Sequence, residues 1–422
     1  MVFDGYDYMI VSYTMPQIAE EWGLGAVAKG SLSSWSLIGL IIGGAMAGIL
    51  SDKFGRRKTL TIAIAVYSLL TIPIYFSNSF AMFAVFRVLA GLGLGACIPL
   101  VTTIFSESTP TNKRAIFITF GMAWMIVGWV LAGLLATWLV PLYGWRLCYL
   151  IGGIPLLYSV FLYFKLPESA YWLANKGRKN EAVRALDNIE KMATGKVTHR
   201  DSKDLVVPPA PKQVGPKALF SKNFRAATAG IWITYFCGCF IVYGINAWFP
   251  SLMLEKGLQL SSAYGLAIAQ NAAAVIANCT TGFVAEWVGR RNNLVISFVV
   301  SALAVIVMAT IGGSFGAILA ACIFLGFAVN YAITAVQPLM AESYPTDFRN
   351  TGVSWCQAFG RLGGASAPIV AGMIIQMNLG YSMSFMFYVF PALIGALAAW
   401  IFVKKETKGK SLDQLATEES AA

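Results

Sequence analysis

The chain has 422 residues, 57% apolar and 12% charged, with 31 Lys and Arg against 20 Asp and Glu for a net charge of +11. Soluble domains carry about 25% charged residues, so this balance excludes an ordinary water-soluble enzyme. Of the 31 Lys and Arg, 26 fall in every second loop or the C-terminal tail, which makes the basic surplus a matter of membrane topology rather than of nucleic acid, with anionic lipid as a further contact.

Twelve apolar runs are predicted as helices, at 1–18, 31–50, 59–76, 80–104, 115–139, 144–164, 226–252, 262–285, 293–312, 315–339, 350–377 and 380–403. About 20 apolar residues suffice for a helix to cross a bilayer. In lipid the backbone must satisfy its own amides, and none of these runs alternates like a strand, so an all-α membrane protein is expected. The first run opens with "DGYDY", which places Asp4 and Asp7 three residues apart on one helix face. Like charges in a poorly solvated place push one carboxyl pKa upward, as a proton carrier requires; the other reading puts both at the cytosolic headgroups.

The second run ends in "GILSDKFGRRK" (48–58). Here Asp52 can cap a neighbouring helix and pair with Arg56, while Gly48 and Gly55 permit close packing and a tight turn. Arg87 begins "RVLAGLGLGA" in the fourth run. Its glycines allow tight helix contact, and Arg87 either pairs with Asp4 or Asp7 or snorkels to the interface. "ESTPTNKR" (107–114) follows, with Glu107 and Arg114, and the fifth run carries Trp124. Residues 165–223 are the longest polar stretch, with "VVPPAPK" and the amphipathic "NEAVRALDNIEKM". They read as a cytosolic linker with a short helix or two. The only His, His199, lies in it, which excludes a membrane His relay.

Beyond the linker the pattern repeats. "GFVAEWVGRRN" (282–292) matches 48–58 at an offset of 234, pairing Glu286 and Arg290 with Asp52 and Arg56. "ESYPTDFR" (342–349) matches 107–114 at an offset of 235, pairing Glu342 and Arg349 with Glu107 and Arg114. The expected organisation is therefore a six-helix bundle at 1–164, a linker at 165–223, a second six-helix bundle at 224–403 and a cytosolic tail at 404–422. Duplicated halves are a transporter architecture with the substrate near the midplane. The charge bias places both termini in the cytosol of a cell (inner or plasma) membrane. The seventh run supplies Tyr243 and Asn246, and the eleventh Gln357 and Arg361. Arg361, the only charge between Arg349 and Lys404, is too deep to snorkel and cannot discharge itself. It needs an anion, water or carbonyls; the anion would be a substrate carboxylate, or a permanent bond to Asp4 or Asp7.

The doubled G-x-x-x-D/E-x-x-G-R-R loop resembles the signature of the major facilitator superfamily, over essentially the whole chain. "DGYDY", "YGINAWFP", "PESAYWL" and "GRLGG...P" resemble the aromatic acid:proton symporters and the related organic anion and cation transporters. "PESAYWL" departs from the common form at Ala170-Tyr171. The resemblance implies twelve helices in two pseudo-symmetric bundles and alternating access. It also implies a cytosolic gate at Asp52, Gly55, Arg56, Glu107, Arg114, Glu286, Arg290, Glu342 and Arg349, and proton coupling through Asp4, Asp7 and Arg87. The substrate contacts expected are Arg361, Gln357, Tyr243, Asn246 and Trp124. The expected activity is proton-coupled uptake of an organic anion such as an aromatic carboxylate by a monomer. A sugar or polyol facilitator and an organic cation carrier are the alternatives. No metal-ligand set, ATP-binding loop or other cofactor site is read from the sequence, and Cys237-Gly-Cys239 lacks the nearby ligands that would complete a metal site. "GLGLGA" and "GGSFG" lie in helix and short-loop contexts that suit neither a nucleotide loop nor a nucleophile elbow.

Overall fold

A computed structural model describes residues 1–109, 114–195, 219–221, 224–344 and 349–403, the side chains of 114–120, 122, 192–194, 341 and 349–350 excepted. Among these residues every regular element is a helix. In chain order they are α1 (Val2–Glu21), α2 (Ala26–Phe54), α3 (Arg56–Thr71, continued by a 3₁₀ turn at Ile72–Phe76), α4 (Phe80–Ser108), α5 (Arg114–Tyr143), α6 (Arg146–Ile151), α7 (Pro155–Lys165), α8 (Ala170–Asn175) and α9 (Lys179–Thr194). Then come α10 (Arg225–Glu255), α11 (Leu260–Val288), α12 (Arg290–Thr310), α13 (Phe315–Glu342), α14 (Arg349–Gln376), α15 (Gly380–Met386) and α16 (Val389–Phe402).

Eleven segments among the described residues are long and apolar enough to cross a membrane. The twelfth spanning helix is α1, whose charged Asp4, Asp7, Glu20 and Glu21 lower its hydropathy. Two predicted spans are each broken: α6 and α7 are separated at Gly152–Gly153, before Pro155, and α15 and α16 meet near Tyr388. Glycine pairs and proline interrupt the backbone ladder there without ending the span. The amphipathic stretch after the sixth span forms α9, and it is joined to α8, which comes from "PESAYWL", by a small core of Leu173, Ala174, Ala182 and Ala185. On this exposed pair of helices a hydrogen bond from Arg178 holds the Glu181 carboxyl below its ordinary range.

The chain divides into two compact units, Met1–Tyr8 with Trp35–Gly128 and Tyr143–Ala210, and Met9–Ser34 with Trp129–Leu142 and Pro211–Ala422. In the first, α2 and α4 pack backbone to backbone. A Cβ added at Gly39, Gly43, Gly91 or Gly95 would overlap a carbonyl of the facing helix, so the "GLGLGA" run acts as a helix contact. In the second, Gly360, Gly363 and Gly364 of α14 admit Tyr235, Phe236 and Tyr243 of α10 in the same way.

Candidate functional site

The intramembrane acid and base of the first unit meet each other. Asp7 and Arg87 are both fully buried, and Arg87 Nη1 donates to Asp7 Oδ2 at 2.9 Å while Nη2 donates to the Asp7 carbonyl at 3.1 Å. The Thr71 hydroxyl lies 3.3 Å from Asp7 Oδ1, and the guanidinium sits 5.8 Å from the centre of the Tyr149 ring. With zero exposure, Arg87 does not reach solvent but is held against Asp7, itself fully buried. Asp4 takes a different partner, the Met1 amino group at 3.3 Å. A buried pair of this kind is self-compensating: removing one member strands the other in low dielectric.

A second charged cluster lies where α2, α3, α4 and α8 converge. Arg56 donates from Nη1 to Asp52 at 2.8 Å and from Nη2 to Glu107 at 3.1 Å. The Asp52 side chain is 66% exposed, whereas those of Arg56 and Glu107 are 11% and 12% exposed. Exposed pairs are worth about 0–1 kcal/mol, so Glu107 is the stronger partner. Glu168 of "PESAYWL" performs the capping expected of Asp52. Its Oε1 accepts from the amides of Arg56 at 2.7 Å and of Arg57 and Ser169, each at 3.0 Å. Gly55, at φ 97°, lets this carboxylate in, since a Cβ there would overlap it. Ser169 in turn donates to Glu107, and the Trp172 indole donates to the Asp52 carbonyl at 3.0 Å.

The second unit repeats the central pair. Arg290 Nε donates to both oxygens of Glu342 at 2.6 and 2.7 Å, and Gly289 has φ 94°. These are the residues paired with Arg56, Glu107 and Gly55 by the sequence offsets. Glu286, the counterpart of Asp52, makes no ion pair among the described residues. It lines a cavity of about 280 Å³ with Gly282, Phe283, Ala285, Arg290 and Pro338. The Arg114 and Arg349 side chains lie outside the described residues.

Arg361 is half-buried in α14 and makes no ion pair or hydrogen bond among the described residues. It lies within electrostatic reach of Tyr235, Cys239 and Tyr243 of α10. Tyr235 and Tyr243 pack on Gly360 and Gly364, so the small residues flanking the arginine are filled by two phenol rings. Gln357, one turn earlier, is half-buried. Pro368, seven residues on, leaves a carbonyl that accepts from the Trp248 indole at 2.9 Å. A buried amide set continues the site along α10 and α11. Gln270 Nε2 donates to Asn246 Oδ1 at 2.9 Å, and Asn271 Nδ2 lies 3.4 Å from the Tyr13 hydroxyl.

Four groups of predicted residues are thus brought together: Asp7 with Arg87, Arg56 with Asp52 and Glu107, Arg290 with Glu342, and Arg361 with Tyr243. Trp124 is 44% exposed and belongs to the other unit from Arg361. The sequence reading named Tyr235 among the aromatic candidates of the seventh run and weighed Cys239 only as a metal ligand; it missed Glu168, Ser169 and Thr71. The signal for Glu168 was present: an acid in a short motif after the sixth span, near a basic loop whose helix starts on glycine.

The Sugar (and other) transporter family model matches residues 3–418. The chain is 30% identical to a gallate transporter of Pseudomonas putida over 94% of its length and 88% of the relative's. It is 31% identical to the 4-hydroxybenzoate transporter PcaK of Acinetobacter baylyi, covering 95% and 88%, and 29% identical to the niacin transporter NiaP of the same organism, covering 98% and 93%. Among solved structures, the xylose transporter XylE of E. coli in a partially occluded inward-open conformation superimposes with a TM-score of 0.77 at 20% identity, covering 97% of this chain and 96% of that one.

Proposed function

Since this chain belongs to the Sugar (and other) transporter family, with the twelve-helix fold of the major facilitator superfamily, we propose that it is a multi-pass membrane transporter that couples inward movement of a proton to uptake of an aromatic carboxylate. The observation that carries this reading is Arg361. A permanently charged guanidinium in an apolar span must be compensated, and it has no counter-ion among the described residues, because Asp7 is already paired with Arg87. A substrate carboxylate supplies the missing charge bidentately. Tyr243, Gln357, Asn246 and Trp124 are the accompanying contacts proposed, and the relatives named for gallate, 4-hydroxybenzoate and niacin support an aromatic acid. An organic cation would meet an arginine where it needs an acid, and a neutral sugar would leave Arg361 uncompensated.

Asp7 and Arg87 are the proposed coupling pair, with Asp4 beside them. Protonation of Asp7 releases Arg87, and the cost of stranding that cation ties proton occupancy to conformation. The Arg56 and Arg290 clusters, with Asp52, Gly55, Glu107, Glu286 and Glu342, are the proposed cytosolic gate, and Arg114 and Arg349 belong to the same motifs. The division at 1–164, 165–223, 224–403 and 404–422, cytosolic termini and a monomeric state complete the proposal. Uptake into proteoliposomes tests it, using labelled benzoate, hydroxybenzoates, nicotinate, xylose and an organic cation, with and without an uncoupler. Accumulation of an aromatic acid that collapses with the uncoupler is expected. Uncoupler-resistant uptake of xylose alone would overturn it.

A further inference from the structure

We propose that α3 and α7 together form a binding site for the phosphate headgroup of one anionic phospholipid, with Arg57 as its anchor and Lys58 beside it. Arg57 is the second residue of a span that begins at Arg56, so it stands at the edge of the apolar region and not within it. It is half-buried, and its guanidinium lies 5.4 Å from the centre of the Tyr163 ring of α7. It makes no ion pair among the described residues, and its Nε is buried with no hydrogen-bond partner among them. Native structures rarely leave a buried donor unmet without a reason. Glu168 does not fill this role, because its Oε1 is turned to the backbone amides of Arg56, Arg57 and Ser169. The internal repeat shows how protein can satisfy the same position. Arg291 matches Arg57 at the offset of 234, and its Nη2 donates to the Trp400 carbonyl of α16 at 2.8 Å. The second unit answers its arginine with a carbonyl; the first does not.

The surroundings fit a lipid better than a soluble anion. Lys58, Ile62 and Leu69 are exposed, and their spacing puts them on one face of α3. The neighbouring α7, which packs on α3, presents exposed Val160, Phe161 and Phe164. A phosphate at Arg57 and Lys58 therefore has an apolar surface beside it along which acyl chains can lie. Tyr163 is itself partly exposed, so the stacked guanidinium is reached from the surface. Stacking fixes the plane of that guanidinium and keeps its fork for two phosphate oxygens, while Lys58 adds a point charge. Basic pockets between helices at a membrane surface favour headgroups of net negative charge. A zwitterionic headgroup would bring a further cation against Arg57 and Lys58.

The test is native mass spectrometry of the purified full chain in detergent, titrated with phosphatidylglycerol, phosphatidylcholine and glycerol 1-phosphate. The wild type should bind a first phosphatidylglycerol at least about tenfold tighter than phosphatidylcholine, the worth of one charge-assisted hydrogen bond. In Arg57→Gln, which keeps the backbone amide that Glu168 uses, that ratio should fall to within about twofold. Arg291→Gln removes the same charge from the matched position and should leave the ratio at its wild-type value. If Arg57→Gln does not elute as a monodisperse peak, Arg57→Lys takes its place; it keeps the charge, loses the fork and should still lower the ratio. Equal binding of the two lipids by the wild type, a preference that survives in the Arg57 variant, or an equal loss in Arg291→Gln overturns the site. Glycerol 1-phosphate binding as tightly as the lipid, with the same dependence on Arg57, also overturns it, because the site would then take a soluble phosphate ester.

Discussion

Arg361 and the Asp7–Arg87 pair pose the same physical problem, a charge in an apolar span, with opposite solutions. Arg87 is compensated by protein, with Asp7 at 2.9 Å. Arg361 has no such partner among the described residues. Two predictions follow from that contrast. Arg361→Ala should weaken carboxylate binding by about 2–5 kcal/mol, and Arg361→Lys should also weaken it, because the fork that matches a carboxylate is lost while the charge stays. Titration of both variants checks this; unchanged affinity in a well-folded Arg361→Ala protein would remove the clamp. Asp7→Asn should abolish uphill accumulation while leaving downhill flux, since an amide mimics the protonated acid but cannot cycle. It should also destabilise the protein by about 3–5 kcal/mol by stranding Arg87, and the double variant Asp7→Asn/Arg87→Met should recover most of that loss. Thermal denaturation of the two proteins side by side makes the comparison.

At the scale of elements, the loop from α2 to α3 is held by parts that lie far apart in the chain. Gly55 at φ 97° starts α3, Glu168 caps it from beyond α7, and Arg56 is shared between Asp52 and Glu107. Gly55→Val puts a branched side chain at a positive φ and displaces Glu168. Gly55→Val and Glu168→Gln should therefore slow transport with little loss of equilibrium substrate affinity, because neither touches Arg361. Parallel uptake rates and titrations separate the two effects, and an affinity loss as large as the rate loss would count against a gating role. The contact of α10 with α14 is similarly close. Gly364→Leu must push away the Tyr243 ring, a strain of about 1–3 kcal/mol.

For the whole molecule the internal repeat is the organising fact. The offsets of 234 and 235 between motifs reappear as matched geometry, Arg56 with Glu107 and Arg290 with Glu342. The repeat is incomplete at Glu286, which is exposed while Asp52 pairs with Arg56. Its charge bias also makes a topological prediction. In a Cys279→Ser background, which removes the exposed native thiol, Lys179→Cys should react with an impermeant maleimide only from the cytosolic side. Gln259→Cys should react only from the opposite side. Both positions are exposed, so labelling of both from one side would refute the assigned orientation.

The amino-acid sequence by itself determined the spans, the repeat and the short list of charges that matter. Lipid admits few folds, hydropathy is a local property, and a charge in an apolar run is conspicuous wherever it sits. It could not choose partners. Asp7 meets Arg87 across 80 positions and Arg56 favours buried Glu107 over its near neighbour Asp52. The capping acid proved to be Glu168. Those choices rest on which side chains share a dry space once helices pack, because burial sets the strength of an ion pair. The same holds for the functional reading. That Arg361 lacks a counter-ion among the described residues is a property of neighbours, which only the tertiary structure assembles.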